Sequence, residues 1–287
     1  KETQLQELNL MLNNIDDNEA TEIATVFPLM QQLQILNLSW NQIGDPGAIE
    51  IANSVKHLKQ LRVLDISCNP IEYSGITAIS NATKELTGFQ YLGIYEECSK
   101  SVCEQLQQVF NQKGTKLDLN FRNIDDASAI ALAKALPQLL QLQWLCLHSN
   151  KIGSIGAIAL GNSISKLTQL KNLHLFRNQV GDTGATALAT SIGNLTQLQQ
   201  LDLSRNQVGD TGATAIANSI KNLTQLQQLN LATNQIGDPG AIAIVNALRN
   251  LTVLNYLYLF NDNVSVSVKQ RLKKRFGTKL RIYDSFQ

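Results

Sequence analysis

Leucine recurs along the chain in the frame LxxLxLxxN with polar residues between, as in LQQLDLSRN at residues 198–206. The ninth position of this frame falls at Asn13, Asn41, Asn69, Glu97, Arg122, Asn150, Asn178, Asn206, Asn234 and Asp262. Successive positions lie 28 residues apart, except for 25 between Glu97 and Arg122. One phase held through ten units is the mark of a solenoid built from strand-plus-helix repeats.

Each part of the frame predicts an element. In LDL, residues 201–203, alternation turns the two leucines inward and Asp202 outward. Asn206 follows where the chain leaves the strand, and stacked units would align such amides into a ladder serving interior backbone groups. The segment GD or GDP then opens a helix, with Asp210 the expected N-cap and Pro46 and Pro239 at the first helical position. Small alanines in AxAIAxSI allow close helix approach, and LTQLQQ returns the chain to the next strand. Paired strands need about 4.8 Å and packed helices about 8–10 Å, so the helices take the outer arc. The predicted fold is α/β: a right-handed solenoid horseshoe of about ten 28-residue units, parallel sheet concave and α-helices convex.

The repeats are expected over residues 1–263, and residues 264–287 as a C-terminal basic cap of the same domain. This tail holds seven basic residues against Asp284, a net charge of +6, which leaves −5 for the rest of a chain whose total is +1. Leu272 and Phe276 share one narrow apolar stripe, suited to docking on the last repeat, and Leu280 with Ile282 can form a final edge strand. At the other end no cap precedes Leu5, so either a further N-terminal region covers that edge or it is open to association.

The frame LxxLxLxxNxIGDxGAxAIAxSIxxLxxL resembles the ribonuclease-inhibitor type of leucine-rich repeat, from Leu5 to about Leu259. The frequent cysteines and alternating repeat lengths of the ribonuclease inhibitor are missing, so its target does not carry over. The Asn- and Gln-rich, uniform version is similar to leucine-rich-repeat proteins of intracellular bacterial pathogens, notably Legionella-like secreted effectors. The resemblance implies a protein partner and no enzymatic activity in the repeats.

Specificity is then sought at positions the framework does not dictate. Frame positions 3, 5, 7 and 8 are expected on the concave solvent side or its rim, 40 residues in all. They hold nine aromatics, Trp40, Tyr91, Tyr95, Phe121, Trp144, Phe176, Tyr256, Tyr258 and Phe260, against seven in the other 247 residues. Large aromatics among polar neighbours suit a protein-recognition patch, although cross-strand stacking that merely stabilises an exposed sheet is the competing explanation. Units four to seven concentrate them, together with His148 and His174, and Arg177 and Arg205 bound the patch. The short 25-residue interval, EECSKSVCEQLQQVFNQKGTK, lies inside it and either shapes the groove or is tolerated drift.

Other chemistry is weaker. Charged residues make up only 16%, which does not suggest a nucleic-acid binder, and no apolar run approaches a membrane span. Cys68, Cys98, Cys103 and Cys146 have neither disulfide-framework density nor CxxC spacing, which points to reduced thiols in a cytosol-like compartment, including that of a host cell after secretion. A hydrolytic site using Cys146 with His148 or His174 is the enzymatic alternative, and self-assembly is a third. No metal site and no cofactor are expected, and GDTGA and GDPGA lack phosphate-loop spacing.

Overall fold

The structure is a computed structural model that describes residues 4–93, 102, 105, 106, 108, 109, 113–259, 263–277, 280 and 281. Tyr95, Cys98, Cys103, Phe260, Ile282 and most of the short interval lie outside the described residues, as does the side chain of Phe276. The chain divides into two compact units, residues 1–111 and 112–287.

In the first unit the strands β1 (Glu7–Asn9), β2 (Ile35–Asn37), β3 (Val63–Asp65) and β4 (Tyr91–Gly93) form a parallel sheet in chain order. Helices α1 (Asp17–Ala24), α2 (Asp45–Val55) and α3 (Tyr73–Lys84) connect them. The second unit carries β5 (Lys116–Asp118), β6 (Trp144–Cys146), β7 (Asn172–His174), β8 (Gln200–Asp202), β9 (Gln228–Asn230), β10 (Tyr256–Tyr258) and β11 (Leu280–Arg281). These also pair in parallel, each with its neighbour in sequence. Its helices are α4 (Asp126–Ala135), α5 (Ser154–Ile164), α6 (Gly181–Ile192), α7 (Asp210–Ile220), α8 (Asp238–Ala247) and α9 (Val266–Phe276).

Strand register follows the sequence repeat, Leu36 opposite Leu64 and Leu201 opposite Leu229. The central leucine of every strand from β2 to β3 and from β5 to β10 is buried against the helix layer. The opposite face of each sheet is left to the frame's variable positions, and this is the open face. The fold is thus an α/β leucine-rich repeat solenoid. At its end, Leu272 of α9 is buried, and β11 pairs with β10 through Leu257 and Leu280.

The asparagine ladder forms as expected. Asn206, fully buried, donates from Nδ2 to the carbonyls of Leu175, Leu203 and Ser204, and its Oδ1 accepts from the Val180 N–H. Asn41, Asn150, Asn178 and Asn234 span their neighbouring units in the same way. The residue before the ninth frame position carries a local strain, at Phe121 as well, where Arg122 follows in place of asparagine. Leu12, Trp40, Cys68, Phe121, Ser149, Arg177, Arg205 and Thr233 all have φ between 55° and 59°, although none is glycine. Such a conformation costs about 1–2 kcal/mol for an L residue.

The helix starts differ from expectation. The N-cap of α7 is Gly209, not Asp210, and the Pro residues of α2 and α8 stand second in the helix rather than first. Asp210 instead reaches forward, and its Oδ1 accepts from Gly237 N–H and Gly240 N–H, both at 2.8 Å, at the start of the next unit's helix. Asp17, Asp45, Asp126 and Asp182 do the same one unit earlier or later in the series. A carboxylate there meets unpaired N–H groups at the positive end of the helix dipole. The motif GDxGA follows from this contact, because a Cβ on Gly240 would stand 2.7 Å from the Asp210 carboxylate oxygen.

Among the described residues, the junction between α5 and α6 breaks the series. Ser154 occupies the aspartate position, and its hydroxyl donates to the Val180 carbonyl instead of accepting. The helix it faces, α6, then starts at Gly181 with φ of 60°, and the Gly181 N–H goes to the Asn206 carbonyl.

Candidate functional site

The open face of the second unit brings most of the expected site residues together. Strands β5 to β8 and the turns after them bring these residues together, because parallel register stacks successive units and sets neighbouring frame positions within ring contact. In one row the Phe121 ring meets His148 edge-on at 5.0 Å between centroids, and His148 stacks on Phe176 at 4.2 Å with planes 16° apart. In the next, Trp144 meets His174 edge-on at 5.4 Å, and Lys116 Nζ lies 5.2 Å from the Trp144 ring centre. Lys116 also pairs with Asp118 at 3.6 Å. Phe121 is 69% exposed, while Trp144, His148, His174 and Phe176 are half-buried by one another.

Polar contacts hold these rings in place. The His148 backbone N–H donates to Asn120 Oδ1, and His148 Nδ1 lies 3.2 Å from Ser149 Oγ. Burial within the stack pushes the His148 imidazole below its ordinary range, and nearby His174 and Arg177 add to this against Asp118 and Asp202. His148 is therefore a neutral aromatic surface at neutral pH.

Cys146 sits beneath this row. Trp144 Nε1–H donates to its Sγ at 2.7 Å, and His174 Nδ1 lies 3.5 Å away. The sulfur and imidazole do come within contact, as a Cys–His pair would require. The thiol is only 4% exposed, however, and burial pushes its pKa up. An activated nucleophile needs the opposite, a thiolate favoured near neutral pH in an accessible position. The arrangement therefore packs a protonated thiol. Among the described residues no three His, Cys, Asp or Glu side chains gather as metal ligands.

Arg177 and Arg205 follow one another at frame position 8 and are both exposed. Between Phe176 and Arg205 lies a depression where the row of rings stops, because Ser204 and Ala232 stand where His148 and Phe176 stand in earlier units. Tyr256 and Tyr258 lie beyond it, their rings 6.3 Å apart and nearly parallel. The depression was not legible as a site, since its residues are small; the signal was the abrupt loss of bulk after Phe176. Tyr91 belongs to the first unit, where it is exposed on β4.

Trp40 is a correction. Expected on the solvent side, it is 1% exposed, and among the described residues its Nε1–H finds no acceptor. With φ of 58° the chain has left the strand pleat, so alternation no longer predicts where position 8 points. In this unit the same row holds Leu12 and Cys68, both apolar and both buried. Trp40 is a packing residue and offers no recognition surface.

Comparison with known proteins fits this architecture. A model described as a leucine-rich repeat region matches residues 95–283, about two thirds of the chain, and a leucine-rich repeat model matches residues 3–24, 30–52 and 57–80. A search of curated proteins found no match. Among solved structures, an internalin (InlF) from Listeria monocytogenes is similar at 22% identity and TM-score 0.44, over 90% of this chain and 83% of its own. An internalin C2 from the same species is similar at 22% identity and TM-score 0.37, over 91% and 80%. Together, the continuous repeat match and the strand-helix architecture make this chain a member of the leucine-rich repeat family, whose domains serve protein interaction.

Proposed function

We propose that the protein is a non-enzymatic module that recognises a partner protein through the concave, open face of its sheet. The observation that carries this reading is the run of touching rings from Phe121 through His148 to Phe176, beside Trp144 and His174, on a face that core packing does not dictate. Such pre-packed aromatics can bury area on binding at small cost in side-chain entropy. Arg177 and Arg205 add charge at one side, and Tyr256 and Tyr258 extend the surface. Tyr91 is a further contact candidate on the first unit. The protonated, buried Cys146 supports binding over hydrolysis. No helix among the described residues is long and apolar enough to cross a membrane, and no nucleic-acid partner is proposed.

The similarity of the repeats to those of pathogen effectors supports a finer reading, a secreted bacterial effector that acts on a host protein in a reducing cytosol. Capture from host-cell lysate tests it. Phe176→Ala should weaken the captured complex by about 30-fold or more if the ring is a buried anchor, while Cys146→Ala leaves it unchanged. The reverse pattern would favour the enzymatic alternative.

A further inference from the structure

Arg177 and Arg205 occupy equivalent positions in the turns that follow the paired strands β7 and β8, so their stems start roughly one strand spacing apart, about 4.8 Å. Their backbone N–H groups are fixed to the Ser204 and Ala232 carbonyls, which holds both bases rigidly. Neither guanidinium makes an ion pair or hydrogen bond among the described residues, and both are exposed. Asp202, on the same face, already has other partners. Asp202 accepts from the Ser204 N–H and hydroxyl through Oδ1, and from the Asn230 amide through Oδ2.

Two hollows adjoin this pair. One, of about 440 Å³, lies between the two arginines and Gln207, Thr233 and Gln235. The other, of about 230 Å³, is walled by Phe176 and Arg205 and floored by Ser204 and Ala232. They share Arg205 and Thr233, so a ligand in one can extend into the other. The first has surplus positive charge from two guanidinium groups set on a fixed backbone; the second is small and partly apolar.

From this we infer that Arg177 and Arg205 together receive a carboxylate from an acidic segment of the partner protein, and that a neighbouring side chain fills the hollow over Ser204 and Ala232. The inference rests on the recognition reading above and names the chemistry of the partner. Paired guanidinium forks match the two oxygens of a carboxylate. A polyanion such as nucleic acid is disfavoured, since Asp118 and Asp202 lie on the same face and the chain outside its tail carries −5.

A probe independent of the natural partner tests it. The peptide acetyl-Ala-Glu-Ala-Glu-Ala-amide, its Gln counterpart and its phosphoserine counterpart are titrated into arginine-labelled protein, and the side-chain Nε–Hε resonances are followed by NMR. The Glu peptide should move Arg177 and Arg205 saturably, with the Gln peptide at least about tenfold weaker. R177Q and R205Q should each weaken the Glu peptide by about tenfold or more, with melting temperatures retained, whereas K166Q on the helix side changes nothing. Equal response to the Gln peptide, no saturable shift, persistence in the double variant, or tighter binding of the phosphoserine peptide would each overturn the carboxylate receptor. The captured partner separates the two readings. Its retention by R177Q/R205Q and loss in F176A removes this receptor and leaves the recognition face; retention by both removes the face itself.

Discussion

Frame position 8 has one backbone conformation and two fates. In the first unit Leu12, Trp40 and Cys68 are buried there; in the second, Phe121, Arg177 and Arg205 are exposed at the same φ. The left-handed turn precedes the inward asparagine that bridges two units, and it persists at Phe121, where Arg122 follows, so it belongs to the repeat's backbone path and not to the amide alone. What the side chain does afterwards depends on its row. Apolar neighbours on both sides, as at Trp40, make a core, whereas Ser149 beside Phe121 leaves a ring in water. Repetition thus dictates the backbone and leaves burial to be chosen row by row.

Truncation at the two aromatic positions should separate these fates most sharply. Trp40→Ala should destabilise the first unit by about 3–5 kcal/mol, the range for a large aromatic removed from a core. Phe121→Ala should cost no more than about 0.5 kcal/mol, as exposed substitutions do. Denaturant unfolding measures both, and similar losses would mean that position 8 plays the same part in each unit. Replacement by glycine is the finer test. Arg177→Gly relieves the left-handed strain and should leave stability unchanged or raise it by up to about 1 kcal/mol, in contrast to any residue lost from the buried row.

The smallest effect is on pH. With its folded pKa depressed by burial, His148 takes up a proton less readily than in the unfolded chain. Stability of the second unit should therefore fall as pH drops from the ordinary imidazole range to the depressed one, then level off below it. Phe176→Ala opens the stack and should move the midpoint, followed by imidazole NMR, back towards its ordinary value. An unmoved midpoint would show that burial in the row is not what neutralises the ring.

Much of this architecture was legible in the residue pattern, because leucine alternation and the asparagine ladder are local rules repeated in phase. Asn206 and Leu201 stand where period and hydrogen-bond arithmetic put them. Trp40 departs from the expectation because it lies three residues past the end of β2, in a turn where alternation no longer holds. Asp210 was misjudged for a different reason. Its spacing from the helix start is that of an N-cap, and nothing in one unit reveals that the next unit's N–H groups lie closer. The ring stack on β5 to β8 was foreseen as a patch, but the hollow over Ala232 could be recognised only once Phe176 was seen standing beside it.

The forward reach of Asp210 also bears on how such a chain can lengthen or shorten. The unit that starts with GDTG at Gly209 takes a carboxylate from Asp182 and offers that of Asp210 to the next, so a 28-residue block removed between two such junctions leaves matching ends. The junction between α5 and α6 is made differently. The Ser154 hydroxyl donates a hydrogen bond to the Val180 carbonyl where the aspartates accept from N–H groups, and the same GDTG there starts its helix at Gly181 with φ of 60°. Duplication and loss of repeats can therefore proceed between aspartate junctions, and across the seam the one side chain that differs is that at position 154, since residues 181–184 repeat residues 209–212.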